Sequence, residues 1–314
     1  MEAARAGNGC IAPVAGLDWE TGMEKKEAAV VALGMFDGMH RGHMALMERC
    51  VRMAASLAAV PAVYTFSNHP QTVLRQESPR CLSGEGERRA LMEAQGIRDI
   101  RMTPFTKELA ALSPEAFFDA LQDIWDLRAV VAGYNYSFAC GGTGTPEVLR
   151  ALGRLRGFDA AIVPPVLFSG EPVSSSRIRA CIEKGDVRTA AAMLGRPFAL
   201  SGTVVRNRQF GRTIGFPTAN IEPEPGIVLP PDGVYVTEAQ VGGVCYRAVT
   251  NLGSNPTVSG ERFFVETHLL DFSGELYGLP LCVAFLERLR GERKFDSPEA
   301  LRARIAADVE TARG

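Results

Sequence analysis

Residues 32 to 47 read ALGMFDGMHRGHMALM. An apolar run stops at Gly34, then Gly38, His40, Gly42 and His43 follow in quick succession before an apolar, helix-compatible pattern resumes at Met44. Strand, tight turn and helix N-terminus arriving this close together form a corner of the kind that binds phosphate, because the first turn of a helix leaves its N–H groups unpaired at the positive end of the macrodipole. Gly34 lets backbone approach a ligand and Asp37-Gly38 supplies the turn. His40 and His43 are expected one helical turn apart, where both imidazoles can donate to the same phosphate. An H-x-x-H pair is also a packing feature or half of a metal site, so the assignment rests on what the rest of the chain supplies.

Working outward, apolar runs alternate with helical patterns from Ala28 to about Gly195. Strand AAVVALG is followed by a helix from about His43 to Ala59, then by AVYTF, the helix around EGERRALMEAQGI, DIRMTPF and the helix SPEAFFDALQDIW. After these come RAVVAG, the helix PEVLRALGRLRG and DAAIVPPV. This order predicts a parallel sheet covered on both faces. Beyond TAAAMLGRP the texture becomes strand upon strand: ALSGTVVR, GVYVTEAQV, VCYRAVTNLG, RFFVETHLLDF and LPLCVAFLERLR, separated by turns rich in Gly, Pro, Asn and Asp. That pattern predicts a small antiparallel barrel, closed by the helix SPEALRARIAADVETA. The change falls near residues 186 to 197.

The 314 residues suffice for two domains, and 46% hydrophobic content is ordinary for a globular chain. A net charge of −2 supplies no broad field for nucleic acid, so phosphate affinity has to be local. Seven cysteines without a C-x-x-C pair read as reduced thiols, neither a disulfide framework nor a zinc ribbon, and imply the cytoplasm. No apolar run reaches membrane-spanning length. Residues 1 to 24 read as a loosely ordered leader, with Met23 an alternative start.

A second anion cradle lies at PVSSSRIRACIEKG, residues 172 to 185, where Ser174, Ser175 and Ser176 precede Arg177 and Arg179 at a helix start. An ordinary N-cap with solvated arginines would look the same. In GFPTAN, Pro217 fixes the backbone after Gly215, so Thr218 and Asn220 present hard oxygens on one face, as magnesium prefers. Glu266 sits in a strand among apolar neighbours, where a carboxylate is costly unless paired or used.

GMFDGMHRGH and SSSRIR resemble the paired motifs of nucleotidyltransferases, and VVAGYNYSFACGGTGTPEVL between them resembles bacterial FMN adenylyltransferases. GRTIGFPTANI, DGVYV, TNLGSNPTV and VETHLLDFSGELYG resemble riboflavin kinase. Together and in this order they resemble the bacterial bifunctional riboflavin kinase and FAD synthetase family, from about Ala29 to the C-terminus.

The resemblance implies a Rossmann-like α/β nucleotidyltransferase domain with a parallel sheet over residues 25–190. It also implies a six-stranded-type antiparallel β-barrel riboflavin kinase domain with a C-terminal helix over 191–314. In the first domain FMN phosphate would attack the α-phosphorus of ATP without a covalent enzyme intermediate. His40 and His43 would donate to the phosphates, Gly34, Phe36, Asp37 and Gly42 would shape the nucleotide corner, Ser174, Ser175, Ser176 and Arg179 would hold phosphates from the other side, and Asn135 would orient them. In the barrel Glu266 would be the catalytic base, Thr218 and Asn220 would hold magnesium with ATP, and Gly215, Pro217 and Asn251 would support the nucleotide.

The implied partners are riboflavin, FMN and ATP, with FMN and FAD as products and neither nucleic acid nor membrane engaged; the pattern fixes no oligomeric state. Arg290 and Glu292 belong to a flavin-side flap or to a surface ion pair. His268 reads as structural, and His69 as near the first site. The chain departs from the family pattern at Asn68, where proline is usual, at Ala139-Cys140, where glycine usually follows Ser-Phe, and at Arg206-Asn207, where His-Gly is usual. A single-activity adenylyltransferase with an impaired barrel, a flavin-binding regulatory module without turnover, and a cytidylyltransferase are the competing readings; the last leaves the second half unexplained.

Overall fold

Ala28–Leu33 (β1) is apolar at every position because both of its faces are covered. Ala29, Val31 and Leu33 join a core with Phe117, Phe118 and Leu121 from helix Pro114–Ile124 and with Leu149 and Leu152 from helix Pro146–Arg156. On the other face Cys50, from helix Arg41–Ser56, donates to the Val30 carbonyl. Such continuous burial marks a central parallel strand. The structure is a computed structural model that describes residues 26–76, 78–206, 211, 214–257, 260–293 and 295–313, with no side chains from 254 to 262. The expected leader, Met23 and Asn207 lie outside the described residues.

The helices are labelled α1 (Arg41–Ser56), α2 (Pro70–Leu74), α3 (Glu85–Ala94), α4 (Lys107–Ala110), α5 (Pro114–Ile124), α6 (Pro146–Arg156), α7 (Ser175–Glu183), α8 (Val187–Leu194) and α9 (Pro298–Arg313). Strands β2 (Val60–Phe66), β3 (Asp99–Thr103), β4 (Asp126–Gly133) and β5 (Asp159–Val163) complete a sheet in the order β3-β2-β1-β4-β5, parallel throughout. Strand order reverses between β1 and β4, which places a crevice at their carboxyl ends. A short hairpin follows, β6 (Leu167–Phe168) and β7 (Glu171–Pro172).

Six strands then form a closed antiparallel barrel: β8 (Phe198–Val205), β9 (Ala219–Ile221), β10 (Gly233–Val241), β11 (Val244–Thr257), β12 (Gly260–Leu269) and β13 (Pro280–Arg290), ordered β10-β11-β12-β9-β8-β13. Five of these are the strand-like runs of the sequence. The sixth, β9, takes in the last two residues of PTAN and Ile221, too short for alternation to announce it. Alternate residues of β12, Val265, Thr267 and Leu269, fill the interior. There Thr267, Thr250 and Thr237 satisfy one another in a buried hydroxyl ladder at 3.0 and 2.7 Å. On the outer face Val234, Val236 and Val249 are covered by Val309 and Ala312 of α9. Arg290 and Arg304 donate to the buried carboxylate of Asp308 at the base of that contact, so Arg290 anchors the last helix instead of lying in a surface pair.

The described residues fall into two compact units. One lies within Met1–Met35, Arg49–Glu77 and Gly96–Val163, and the other within Phe36–Glu48, Ser78–Gln95 and Pro164–Gly314. The first contains the parallel sheet. The second contains the barrel together with the corner that opened the sequence reading.

Candidate functional site

In the corner, backbone conformation comes first. Phe36 (φ 54°), Gly38 (φ 76°) and Met39 (φ 40°) all lie in the left-handed region, which costs a non-glycine residue about 1–3 kcal/mol and persists only where the surroundings enforce it. Phe36 and Met39 are each 1% exposed, so their side chains hold the turn from inside. Gly38 has no alternative, because a Cβ there would lie 2.6 Å from Leu82.

Asp37 is the pin. Its Oδ1 accepts the Leu82 N–H at 2.7 Å, Gly38 N–H donates to Ser83 Oγ at 3.0 Å, and Ser175 Oγ donates to the Asp37 carbonyl at 3.0 Å. Arg179 Nη2 stands 3.7 Å from Asp37 Oδ2. Burial raises the Asp37 pKa, opposed by the Leu82 bond and the Arg179 charge. Asp37 Oδ1 and its backbone carbonyl are thus used to hold the corner, while Oδ2 faces the Arg179 guanidinium.

The two histidines lie one turn apart as expected, His40 just before α1 and His43 in its first turn. His40 precedes α1 and caps it: its Nδ1 accepts the His43 N–H at 3.4 Å and its carbonyl accepts the Met44 N–H at 2.9 Å. The helix therefore starts at Arg41, two residues before the expected start at His43. An Nδ1 that accepts leaves the proton on Nε2. The rings stack with centroids 3.6 Å apart and planes 19° from parallel, and the Phe36 ring meets His43 edge-on. Burial lowers the His40 pKa to about 4 and the His43 pKa well below its ordinary value, with His40 adding to the latter. Both imidazoles are thus neutral hydrogen-bond donors at the start of a 16-residue helix. Gly42 makes room for them, since a Cβ there would lie 3.1 Å from the His40 ring.

From the second cradle, Ser174 caps α7 by accepting the Arg177 N–H, Ser175 and Arg179 reach Asp37 as described, and Ser176 is exposed. Arg177 donates to the carbonyls of Glu171 and Pro172, which is structural. Leu82, Ser83 and Arg196 were not singled out by the sequence. Leu82 N–H and the Arg196 guanidinium donate and Ser83 Oγ accepts, and only folding brings these groups close. Gly34 and Asn135 belong to the sheet unit, after β1 and β4 at the switch in strand order. The loop beyond Asn135 holds Ala139 at φ 64°, ψ −177°, a region essentially reserved for glycine. Asn68, the other departure in this unit, donates to and accepts from the Phe105 backbone and ties the end of β2 to the segment after β3. His69 caps α2 by accepting the Gln71 N–H.

In the barrel, register does the assembling. Asn220 of β9 pairs with Glu266 of β12, which pairs with Asn251 of β11, so three polar residues stand side by side on the outer face. Burial raises the Glu266 pKa and the neighbouring Glu292 charge raises it further. Asn251 Nδ2 donates to Glu292 Oε1 at 3.4 Å, which brings Glu292 to the end of the row. Asn220 is 5% exposed and its amide donates to Thr218 Oγ1 at 3.3 Å, so the two expected metal ligands do meet. Gly215, at φ 89°, turns the chain into Phe216-Pro217. His268 holds that segment through Nδ1 at 2.8 Å from the Pro217 carbonyl and an edge-on contact with Phe216, which is the structural role expected of it. Beside Thr218 opens a cavity of about 490 Å³, with Val204, Leu269, Phe272, Leu276 and Tyr277 among its walls. Arg206 stacks over the Tyr277 ring. Among the described residues, no cluster of three His, Cys, Asp or Glu could hold a metal, so an ion here would depend on neutral oxygens and on its ligand.

Two family models match the chain: FAD synthetase over residues 22–177 and riboflavin kinase over residues 194–314. The chain is 33% identical to a bifunctional riboflavin kinase/FMN adenylyltransferase of Bacillus subtilis, over 92% of this chain and 93% of that protein. It is likewise 33% identical to one of Pseudomonas fluorescens, over 90% and 92%. A crystal structure described as a macrolide-efflux protein from Streptococcus pneumoniae superposes with a TM-score of 0.85 at 32% identity, covering 93% of this chain and 95% of that one. Among the described residues no helix is long and apolar enough to cross a membrane.

Proposed function

We propose, from the premise that this chain belongs to the bifunctional riboflavin kinase/FMN adenylyltransferase family, a division of labour between two separate sets of residues. The protein phosphorylates riboflavin to FMN with ATP and adenylylates FMN to FAD with a second ATP. The residue assignments that follow are our reading.

Adenylylation takes place at the corner. FMN phosphate displaces pyrophosphate from the α-phosphorus of ATP, so the residues have to position reactants and stabilise charge, with no nucleophile of their own. His40 Nε2–H and the His43 imidazole donate to the ATP phosphates beside the free N–H groups of α1. Their low pKa values keep them neutral, so they stabilise developing charge without a fixed cation that would grip the ground state equally. Arg179, placed by Asp37, supplies the positive charge.

Phosphorylation takes place on the barrel. Glu266 takes the proton of the ribityl hydroxyl as it attacks the γ-phosphorus, and its raised pKa makes it a better base than an ordinary exposed carboxylate. Thr218 and Asn220 fit a magnesium ion, which typically accepts one or two protein oxygens and fills the rest of its shell with water and phosphate. Bound there, the ion would neutralise the phosphates of ATP. The cavity beside Thr218, walled by Phe272, Leu276 and Tyr277 together with the polar Ser273 and Glu275, has the size and mixed lining to hold the nucleoside.

The observation that supports the reading is the coexistence of two constellations, the stacked imidazoles at a helix start and the Asn220–Glu266–Asn251 row. Incubation with magnesium and ATP, with riboflavin in one reaction and FMN in another, tests it. ADP and then pyrophosphate should be released, with FMN and then FAD formed. FAD from supplied FMN alone would reduce the protein to one activity, and flavin binding without release of either product would overturn catalysis.

A further inference from the structure

Gly38 and Met39 both adopt left-handed conformations and immediately precede His40. Their carbonyls both accept from a single guanidinium: Arg196 Nη1 lies 3.0 Å from Gly38 O and 3.5 Å from Met39 O. The other end of the fork is fixed, with Nη2 donating to Glu87 Oε1 at 3.0 Å. Arg196 leaves α8 one residue after Gly195, whose missing side chain admits the start of α1: a Cβ there would lie 3.3 Å from Arg41 and 3.5 Å from Met44. The elbow 195–196 therefore touches the corner and the helix that follows it at the same place. Arg196 lies within the stretch matched by the riboflavin kinase model and outside that matched by FAD synthetase.

We infer that Arg196 is a positioning residue for adenylylation, supplied from the kinase-matched part of the chain: it holds the left-handed turn that sets the His40 ring against His43. This rests on the reading of the corner as the adenylyl site. A planar fork that binds two carbonyls and a carboxylate at once fixes orientation as well as charge, which lysine reproduces only in part. Without it two carbonyls lose their donor, the strained turn relaxes, and the donors shift relative to the α-phosphorus, where displacement of an ångström is expensive.

The test compares Arg196→Met, Arg196→Lys and His43→Ala in the full-length chain, assaying FAD formation from FMN and FMN formation from riboflavin. For Arg196→Met the kcat of FAD formation should fall roughly 10- to 100-fold with the KM for ATP little changed, while FMN formation stays at the wild-type level and reports a folded barrel. Arg196→Lys should recover part of the loss. The imidazole NMR signals of His40 and His43 should move in Arg196→Met without any substrate present. Unchanged kcat and unmoved imidazole signals in Arg196→Met, with His43→Ala inactive in FAD formation, would overturn the positioning role alone. Full FAD formation in His43→Ala would overturn the reading of the corner. Equal loss of both reactions in Arg196→Met and Arg196→Lys would reduce Arg196 to a folding residue.

Discussion

The corner at Phe36–His43 and the row Asn220–Glu266–Asn251 are each proposed here to handle a triphosphate, and they are built by different means. The corner relies on backbone bent into left-handed conformations, on neutral rings pressed together, and on contacts that come from across the sequence: Leu82 bonds Asp37 from 45 residues away and Ser175 from 138. The row relies on regular strand pairing, which sets three residues abreast with no strain, and adds a carboxylate that burial and Glu292 make more basic. A ladder suits a base and a metal because register fixes spacing. A helix start suits displacement at phosphorus because its donors already point at the anion.

The largest effect that can break this comparison is loss of the base. Glu266→Gln should lower FMN formation by about 10²–10⁴-fold, the usual contribution of general base catalysis, and leave FAD formation from FMN untouched; steady-state assays of each half-reaction check it. His43→Ala should do the converse, lowering FAD formation by about 10²–10³-fold, as for loss of one donor to a developing charge. If either variant, folded, lost both activities, the two regions would be one site.

A third test sharpens the electrostatic contrast. The folded chain holds His40 at about 4 against an ordinary 6.5, so as pH falls below the ordinary value the unfolded chain takes up a proton that the folded chain refuses. The His40 contribution to stability is complete above that pH and is lost on acidification, by about 3 kcal/mol near pH 4. Glu266, with its raised pKa, acts in the opposite sense, gaining its proton in the folded state first. Unfolding free energy measured across this range should decline less steeply in His40→Gln than in the parent chain, and identical slopes would place the proton elsewhere.

The smallest effect is expected in the sheet unit. Ala139→Gly should raise stability by an amount on the order of 1 kcal/mol, because glycine alone adopts that backbone region without strain. Thermal unfolding reads it, and assay of FAD formation tells whether the strain is used or only tolerated.

Much of this was legible in the chain. Apolar runs with helix-length spacers specify the parallel sheet, and HRGH and PTAN are the short motifs on which the proposed division of the two chemistries rests. Other features were hidden because they depend on distant partners. Asp37 looked like a ligand-shaping turn residue, and only the arrival of Leu82 and Ser83 makes it a pin. His40 was read only as a phosphate donor before the helix, and its Nδ1 contact shows that it also caps that helix. Arg290 looked exposed until α9 brought Asp308 beneath it. The row of three could not be read from spacing, since register between β9, β12 and β11 is set by the turns and by the packing of the barrel interior.

The barrel is closed by its shortest stave: β9 has three residues, against 14 in β11, and it carries Asn220. A seam this short is where the cylinder would begin to open, since little hydrogen bonding holds it. A nucleotide and its ion gripping Thr218 and Asn220 would clamp that seam, so turnover and durability are drawn from one source. By mass action, ATP and magnesium bound at that seam would raise the barrel's resistance to opening and to proteolysis.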